Sequence, residues 1–399
     1  MTELEKAREQ IDRIDKEMAR LFEERMAAVK TVAEYKRQNG VRVADLSREA
    51  EVIKRNSSLI ENEALKPYFV SFLQSNMDIS KAYQHRLLEG MRIAYSGVEG
   101  AFANIAANRI FPDGTAFACE DFKAAYESVE KGENDCVILP IENSYNGDVG
   151  QVMDLTFFGS LYINGIYDIE IVQNLLAVKG TTMDEVKEVI SHPQALGQCA
   201  AYIRRHGFKP TEAVNTAVAA KLVSESGRHD IAAIGSSEAA KKFGLKKLEA
   251  HINTSGNNTT RFAVFSKAAK APSKADNQFI MLFTVPNEAG LLGQAIAVIG
   301  KYGFNLRALK SRPTKELIWS YYFYAEGEGN INGENGKAML KELKEKCSNV
   351  RVVGSFEKEI VSVESCDCIE NAKMAVDIKD NGFDIEIKPY EIQTYRVRF

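Results

Sequence analysis

The chain has no run approaching ~18 consecutive apolar residues, so no membrane-spanning helix is expected. Its charged start, Met1-Thr2-Glu3-Leu4-Glu5-Lys6, lacks the apolar core of a signal peptide. It has no C-x-x-C pair and no H-E-x-x-H, and its six cysteines are scattered. Reduced thiols in a cytoplasmic protein are therefore expected. Cys366-Asp367-Cys368 is at most a metal half-site without partners. No metal is expected. Neither charge dominates: 51 Lys+Arg stand against 55 Asp+Glu, a net charge of −4, which argues against a basic nucleic-acid-binding coat. Glycine and proline are scarce at the front, where Gly40 and Pro67 are the only ones before Gly90. What remains is ordinary globular material, 399 residues with 45% hydrophobic and 27% charged, enough for two to three domains.

Composition divides the chain into regimes. Residues 1–90 read as all-helical, 91–267 as alternating strands and helices, and 268–276 as a polar linker. Residues 277–356 read β-α-β-β-α-β, and 357–399 form a β-prone tail.

In the first regime Leu4, Ala7, Ile11, Ile14, Met18 and Leu21 recur at steps of three and four, and the seam continues through Ala28, Val32 and Tyr35. Arg25 interrupts it. A guanidinium in an apolar seam is costly unless an anion or a carboxylate meets it. Lys36, eleven residues on, shares the Arg25 face, whereas Arg8 points about 100° away. A helix over about 3–38 is too long for a lone small domain and asks for a second copy of the chain. A second helix over about 46–59 carries Arg48 and Glu49. A third over about 64–88 carries Ser80 and Gln84 on one face. The cations either converge on a compact dicarboxylate or form ordinary interhelical ion pairs.

This pattern resembles the all-helical chorismate mutases. Its signature residues are Arg8, Arg25, Lys36, Asp45, Arg48, Glu49, Ser80 and Gln84. The resemblance implies an intertwined dimer in which Arg8 reaches the partner's site. It also implies that Arg8, Arg25 and Arg48 grip carboxylates, that Lys36 and Gln84 donate to the breaking ether oxygen, and that Asp45 and Glu49 orient the ring hydroxyl. The rearrangement to prephenate needs neither nucleophile nor cofactor.

In the second regime strands are expected at 91–95, near 115–118, 136–141, around 170–179, 188–191, 211–214, 231–235 and 261–265. Helices are expected after Gly100, over 122–131 and after Thr182. Three polar clusters follow apolar strands, the place where open α/β sheets bind ligands. They are Glu142-Asn143-Ser144, the turn Ser191-His192-Pro193-Gln194 through Gln198-Cys199, and Asn257-Asn258-Thr259-Thr260-Arg261-Phe262. Together they resemble prephenate dehydratase, implying two lobes of periplasmic-binding-protein type with the site in the cleft. On that resemblance Thr260 donates to the leaving hydroxyl, and Glu142, Asn143, Ser144, Ser191, His192, Gln198, Thr259 and Phe262 are substrate-site positions. Arg261 is an anion anchor or a local ion pair. The family's early G-P-x-G-T-F-S reads Gly97-Val98-Glu99-Gly100-Ala101-Phe102-Ala103 here, so that loop receives no substrate contacts.

The β-α-β-β-α-β segment is ferredoxin-like and shows no catalytic constellation. It resembles an ACT domain, which implies L-phenylalanine binding through Asn287, Gly290, Leu291, Leu292, Ser311, Arg312 and Pro313. The family's E-S-R-P is Lys310-Ser311-Arg312-Pro313, a charge reversal at its first position. The tail is expected to add a hairpin, from 383–387 and 392–399, to this sheet or to a neighbouring subunit. The combined expectation is a bifunctional enzyme of phenylalanine biosynthesis that turns chorismate into prephenate and then phenylpyruvate, with feedback inhibition. The rivals are a non-enzymatic aromatic amino-acid sensor and a two-lobed solute-binding protein.

Overall fold

The computed structural model describes residues 2–254, 258–314, 321–358, 362–366, 372–378, 385 and 394–398. The sparse glycines and proline of the front regime act as helix punctuation. Helix α1 (Glu3–Asn39) opens on a Thr2/Glu5 capping box and ends at Gly40. Helix α2 (Leu46–Ser57) is capped by Asp45. Helix α3 (Lys66–Glu89) has Pro67 in its first turn and ends at Gly90.

At 37 residues α1 is about 55 Å long. Its sheltered positions are Arg25, Met26, Val29, Ala33 and Lys36. The expected seam does not face α3: Ala28, Val32 and Tyr35 lie on the exposed side, and a neighbouring stripe meets α3. Leu4, Ile11 and Leu21 are each more than half exposed.

The α/β segment begins with strands β1 (Arg92–Ser96), β2 (Thr115–Cys119) and β3 (Cys136–Asn143), with helices α4 (Phe102–Ile110) and α5 (Phe122–Glu130) between them. Strand β1 pairs in parallel with both β2 and β3. Then come β4 (Gly147–Asp148), α6 (Gly150–Phe158), β5 (Tyr162–Glu170), β6 (Asn174–Ala177) and β7 (Glu188–Ser191). The strand expected around 170–179 is the shorter β6, and β5 before it is one the sequence reading did not place. The helix expected after Thr182 is a single 3-10 turn, Met183–Glu185, closed by a capping box and followed by extended chain.

The segment Ser191–Cys199 is not a turn. His192 caps a short helix α7 (Pro193–Gln198), because Pro193 fits a first helical position and His192 Nδ1 accepts from Gln194 N. Helix α8 (Ala200–His206), β8 (Lys209–Glu212), α9 (Thr216–Ser226), β9 (Ile231–Gly235), α10 (Ser237–Lys242) and β10 (Lys246–Glu249) complete a five-stranded sheet of order β10-β6-β9-β7-β8. Its two apolar faces are filled separately, around Leu175, Val189 and Ile203 on one side and Leu176, Val223 and Ala239 on the other.

Strand β11 (Thr259–Ser266) is followed by β12 (Gln278–Thr284), α11 (Leu291–Lys301), β13 (Asn305–Pro313), β14 (Tyr321–Glu328), α12 (Glu334–Lys346) and β15 (Asn349–Phe356). This is the expected β-α-β-β-α-β order. Trp319 and Asn257 lie outside the described residues.

The chain divides into two compact units, Met1–Leu139 with Ser144–Asn146 and Ile169–Thr259, and Pro140–Asn143 with Gly147–Asp168 and Thr260–Phe399. Within the second, the strand order is β13-β14-β12-β15-β5-β11. The ferredoxin-like sheet buries Phe279, Met281, Phe283 and Ala325 against Val298, Ile299, Met339 and Leu343 of α11 and α12. Its strand β15 runs parallel to β5 at Gly354 and Ile163, where a Cβ on Gly354 would sit 2.6 Å from the Ile163 carbonyl oxygen.

Of the two placements expected for the tail, the one on the ferredoxin-like sheet is not seen among the described residues. Strands β16 (Ser362–Cys366), β17 (Ala372–Val376) and β18 (Thr394–Arg398) form a separate three-stranded antiparallel sheet rather than extending the ferredoxin-like one. Of the expected 383–387 strand only Ile385 is described. No described helix is long and apolar enough to cross a membrane, and no His/Cys/Asp/Glu cluster among the described residues could hold a metal. Cys136 and Cys199 are buried free thiols, and burial pushes both up to about 12.

Candidate active sites

In the helical module the α1–α3 contact gathers three of the expected residues. The Arg25 guanidinium donates to Ser80 Oγ and, at 3.2 Å, to the Asn76 carbonyl. Gln84 Nε2 donates to the Ser80 carbonyl at 3.3 Å, while its buried Oε1 has no partner among the described residues. Ser80 and Gln84 are both almost fully enclosed. Burial lowers the Arg25 pKa, and no described carboxylate pairs with it.

Lys36 Nζ donates to the Val43 carbonyl at 2.6 Å, and its charge acts on the Asp45 carboxylate without a described ion pair. Glu49 is held by Lys81 at 3.0 Å, a cation the sequence reading passed over because it sits one residue beyond the Ser80 face. Asp45 caps α2, and hydrogen bonds from the Ser47 side chain and the Arg48 backbone lower its pKa. Arg48 makes an exposed pair with Glu51 at 2.7 Å. Arg8 lies seventeen residues before Arg25, about 26 Å along the axis, so the two cannot meet one ligand within a chain.

In the α/β module the two sequence motifs are split by strand alternation. Asn143 Nδ2 donates to Thr260 Oγ1 at 2.9 Å. That leaves the Thr260 proton free to donate elsewhere. Ser144 and Thr259 close the adjoining rung: the Ser144 N–H donates to the Thr259 carbonyl, and the Thr259 N–H donates to Ser144 Oγ. The neighbouring side chains, Glu142 and Arg261, point to the opposite face. There Arg261 donates to Glu142 at 2.8 Å and to both carboxylate oxygens of Glu326 at 3.1 and 2.8 Å.

Of the two roles open for Arg261, the structure shows the ion pair. Burial opposes its charge, but the Glu326 and Glu142 carboxylates outweigh burial and raise its pKa. Burial likewise opposes ionised Glu142, yet hydrogen bonds from Arg261 and Lys310 win and lower its pKa. Glu142 therefore does not present a free carboxylate to a substrate, and Phe262 is core, being 2% exposed.

Ser191 and Gln198 are buried in the first unit. Ser191 Oγ donates to the Ile234 carbonyl at 2.7 Å, so its hydroxyl supports the sheet rather than opening to solvent. Gln198 Oε1 accepts from Gln173 Nε2 at 3.2 Å. Gln173 Oε1 and Asn174 Oδ1 are buried without partners among the described residues. These two amides were missed by sequence reasoning because they sit in a strand-like stretch with no polar cluster to announce them. His192 is half-buried, and burial lowers its pKa. The Gly97–Ala103 loop is occupied structurally: Ser236 Oγ donates to the Gly100 carbonyl at 3.2 Å, and Glu99 pairs with Lys242.

On the ferredoxin-like unit Asn287 and Gly290 are exposed, and Leu291 and Leu292 half-buried. Along β13 the side chains alternate. Ser311 and Pro313 are exposed, whereas Lys310 and Arg312 face the other way. Lys310 binds Glu142 at 3.1 Å and Asp148 at 2.5 Å. Arg312 binds Asp154 at 2.8 and 3.1 Å, and the Tyr322 hydroxyl joins that carboxylate at 3.0 Å. Two of the expected motif cations are thus used internally.

An all-helical module with a half-buried arginine that meets no described carboxylate, followed by an α/β module with an oriented hydroxyl, defines a multi-module enzyme for small anionic substrates. Residues 7–85 match the chorismate mutase type II family and residues 93–270 the prephenate dehydratase family. A third match, to the C-terminal β-sandwich domain of glycosyl hydrolases family 38, spans 332–395. Within that span α12 and β15 belong to the ferredoxin-like unit, not to a sandwich.

The bifunctional chorismate mutase/prephenate dehydratase of Aquifex aeolicus (strain VF5) is 30% identical over 372 residues, covering 90% of this chain and 99% of its own. The chloroplastic arogenate dehydratase/prephenate dehydratase 1 of Arabidopsis thaliana is 32% identical, covering 68% and 73%. Among solved structures, GqqA, a quorum-quenching acylase, is 27% identical with a TM-score of 0.63 over 67% of this chain and 98% of that one. The prephenate dehydratase from Arthrobacter aurescens in complex with L-Phe is 24% identical with a TM-score of 0.63 over 71% and 93%. The chain belongs to the bifunctional chorismate mutase/prephenate dehydratase family.

Proposed function

We propose that the chain rearranges chorismate to prephenate in its helical module and converts prephenate to phenylpyruvate in its α/β module, under inhibition by L-phenylalanine. The observation that carries the first step is Arg25, a partly buried cation without a described carboxylate partner, hydrogen-bonded to Ser80 beside the enclosed Gln84. A substrate carboxylate supplies the missing anion. Gln84 and Lys36 then donate to the ether oxygen as its bond to the ring breaks, which stabilises charge present only in the transition state. Gln84 is neutral at every working pH, so this donation needs no acid.

Arg8 is assigned to the site of a second copy. Its distance from Arg25 along α1 and the exposed Leu4, Ile11 and Leu21 support an intertwined dimer.

The second step rests on the Asn143–Thr260 hydrogen bond. The electron pair of the ring–carboxylate bond moves into the ring as carbon dioxide leaves, and the ring hydroxyl departs as water after gaining a proton. Thr260, with its oxygen already occupied by Asn143, donates its hydrogen to that departing oxygen.

Inhibition by L-phenylalanine is assigned to the ferredoxin-like unit as an ACT domain, through Asn287, Gly290, Leu291, Leu292, Ser311 and Pro313. The Arthrobacter relative, solved with L-Phe, supports that reading. With Arg312 and Lys310 internally paired, the effector would be held mostly by backbone and small side chains.

The test is phenylpyruvate formation from chorismate with and without added L-phenylalanine. Prephenate and then phenylpyruvate should appear, and phenylpyruvate should fall with the amino acid. Persistence of chorismate would sink the first step, accumulation of prephenate the second, and indifference to phenylalanine the effector.

A further inference from the structure

The inward-facing cations and carboxylates of the ferredoxin-like sheet converge on the strand ends that carry Asn143 and Thr260. Arg261, one residue after Thr260, is held by both oxygens of Glu326 on β14. Glu142, one residue before Asn143, is held by Arg261 and by Lys310 of β13. Glu326 is only 4% exposed and takes a further hydrogen bond from the Tyr324 hydroxyl at 2.9 Å. The two strands are therefore gripped from behind, at the residues flanking the Asn143–Thr260 hydrogen bond.

We propose that Glu326 is a positioning residue for the dehydratase reaction: through Arg261 it fixes the Thr260 end of β11, making the ferredoxin-like unit a structural member of that active site as well as its regulator. The inference rests on the dehydratase reading above. It also gives Lys310 a role. A glutamate there, as in the family motif, would put a third carboxylate against Glu142 and Asp148, whereas lysine neutralises both. Displacing a reacting group by about 1 Å costs roughly 10²-fold in rate, so a small shift of β11 is enough to matter.

The experiment compares the full-length wild type with Glu326→Gln, Glu326→Asp and Lys310→Met, using prephenate and chorismate as separate substrates. Thermal unfolding is followed by circular dichroism. Glu326→Gln should lower the dehydratase kcat at least about tenfold, leave the prephenate KM within about threefold and leave the mutase rate unchanged. Glu326→Asp should recover part of the loss. Lys310→Met strands no fully buried carboxylate, because Asp148 is more than a third exposed. It should fold and lose kcat to a smaller degree.

Wild-type kcat in Glu326→Gln, or a change confined to KM, overturns the proposal. Failure of Glu326→Gln to fold transfers the decision to Lys310→Met, where an unchanged kcat overturns it and a lowered one supports it. A wild type that makes no phenylpyruvate from prephenate removes the dehydratase reading itself, whereas an active wild type with equally active variants removes only the positioning role.

Discussion

The helical module and the ferredoxin-like unit use the same residue types in opposite ways. In the helices Arg25 sits in a sheltered position and hydrogen-bonds to a hydroxyl and a backbone carbonyl, with no described carboxylate to neutralise it, while Lys36 donates to a backbone carbonyl and shares its charge with Asp45 without a described ion pair. In the second unit Arg261, Lys310 and Arg312 are each matched by carboxylates at ion-pair distance. A sheltered cation without an anion is a vacancy that a substrate can fill. A sheltered cation already matched is architecture, and losing either partner leaves a buried charge behind.

Four changes would break or sharpen this contrast. The largest effect belongs to Thr260→Ala, which keeps the strand but removes the oriented donor. Dehydratase turnover should fall about 10²- to 10⁴-fold while prephenate builds up from chorismate at the normal rate. Phenylpyruvate at an undiminished rate would mean that the hydroxyl is a bystander.

Arg25→Ala should cost the mutase about 10²-fold, the usual loss for one preorganised donor, with a fall in stability of no more than about 1 kcal/mol, because hydrogen bonds to Ser80 and the Asn76 carbonyl are lost but no ion pair is broken. A destabilised protein with normal mutase kinetics would place Arg25 on the architectural side instead.

Gly150→Ala tests the matched side. A Cβ there would lie 2.3 Å from the Arg312 guanidinium, so that group must shift and its two-pronged contact with Asp154 is disturbed. A loss of about 1 kcal/mol in stability is expected, with the mutase untouched. An unchanged unfolding midpoint would show that the pair contributes nothing.

The smallest effect is one of pH. The Glu142 pKa is lowered in the fold, so its contribution is complete above the ordinary carboxylate range and fades as pH falls through the lower folded value. Unfolding curves of the wild type should lose stability on acidification below about pH 4.3, and Glu142→Gln should flatten that slope. Parallel slopes for the two proteins would assign the acid loss to other carboxylates.

Much of this was legible in the sequence, but not its orientation. The order of modules, the β-α-β-β-α-β unit and the Arg25 anomaly follow from periodicity and composition, because each depends on local spacing alone. The face that α1 turns to α3 did not. Met26, Val29 and Ala33 are small or flexible enough to pack closely, whereas the stronger seam through Leu4, Ile11 and Leu21 has no partner within the chain.

Nor could spacing show that Glu142 and Arg261 point away from Asn143 and Thr260. Pairing partners such as Glu326 lie 65 residues further on, and a strand's two faces are assigned only when its neighbours are known. The α7 helix was read as a turn because Pro193 signals both a break and a helix start. Only the capping geometry at His192 decides between them.

The back-to-back placement of Asn143–Thr260 and Glu142–Arg261 makes the site sensitive to insertion rather than to substitution alone. Adding or deleting one residue in either strand rotates every later side chain to the other face. Anchor and hydroxyl would then exchange sides, turning the guanidinium outward and burying the donor among carboxylates. Chain length beyond Asn146 and before Asn258 can change without this effect, but Glu142-Asn143-Ser144 and Thr259-Thr260-Arg261 must each keep their parity. A lineage could reshape what the enzyme binds by changing those stretches while the strand count stays fixed.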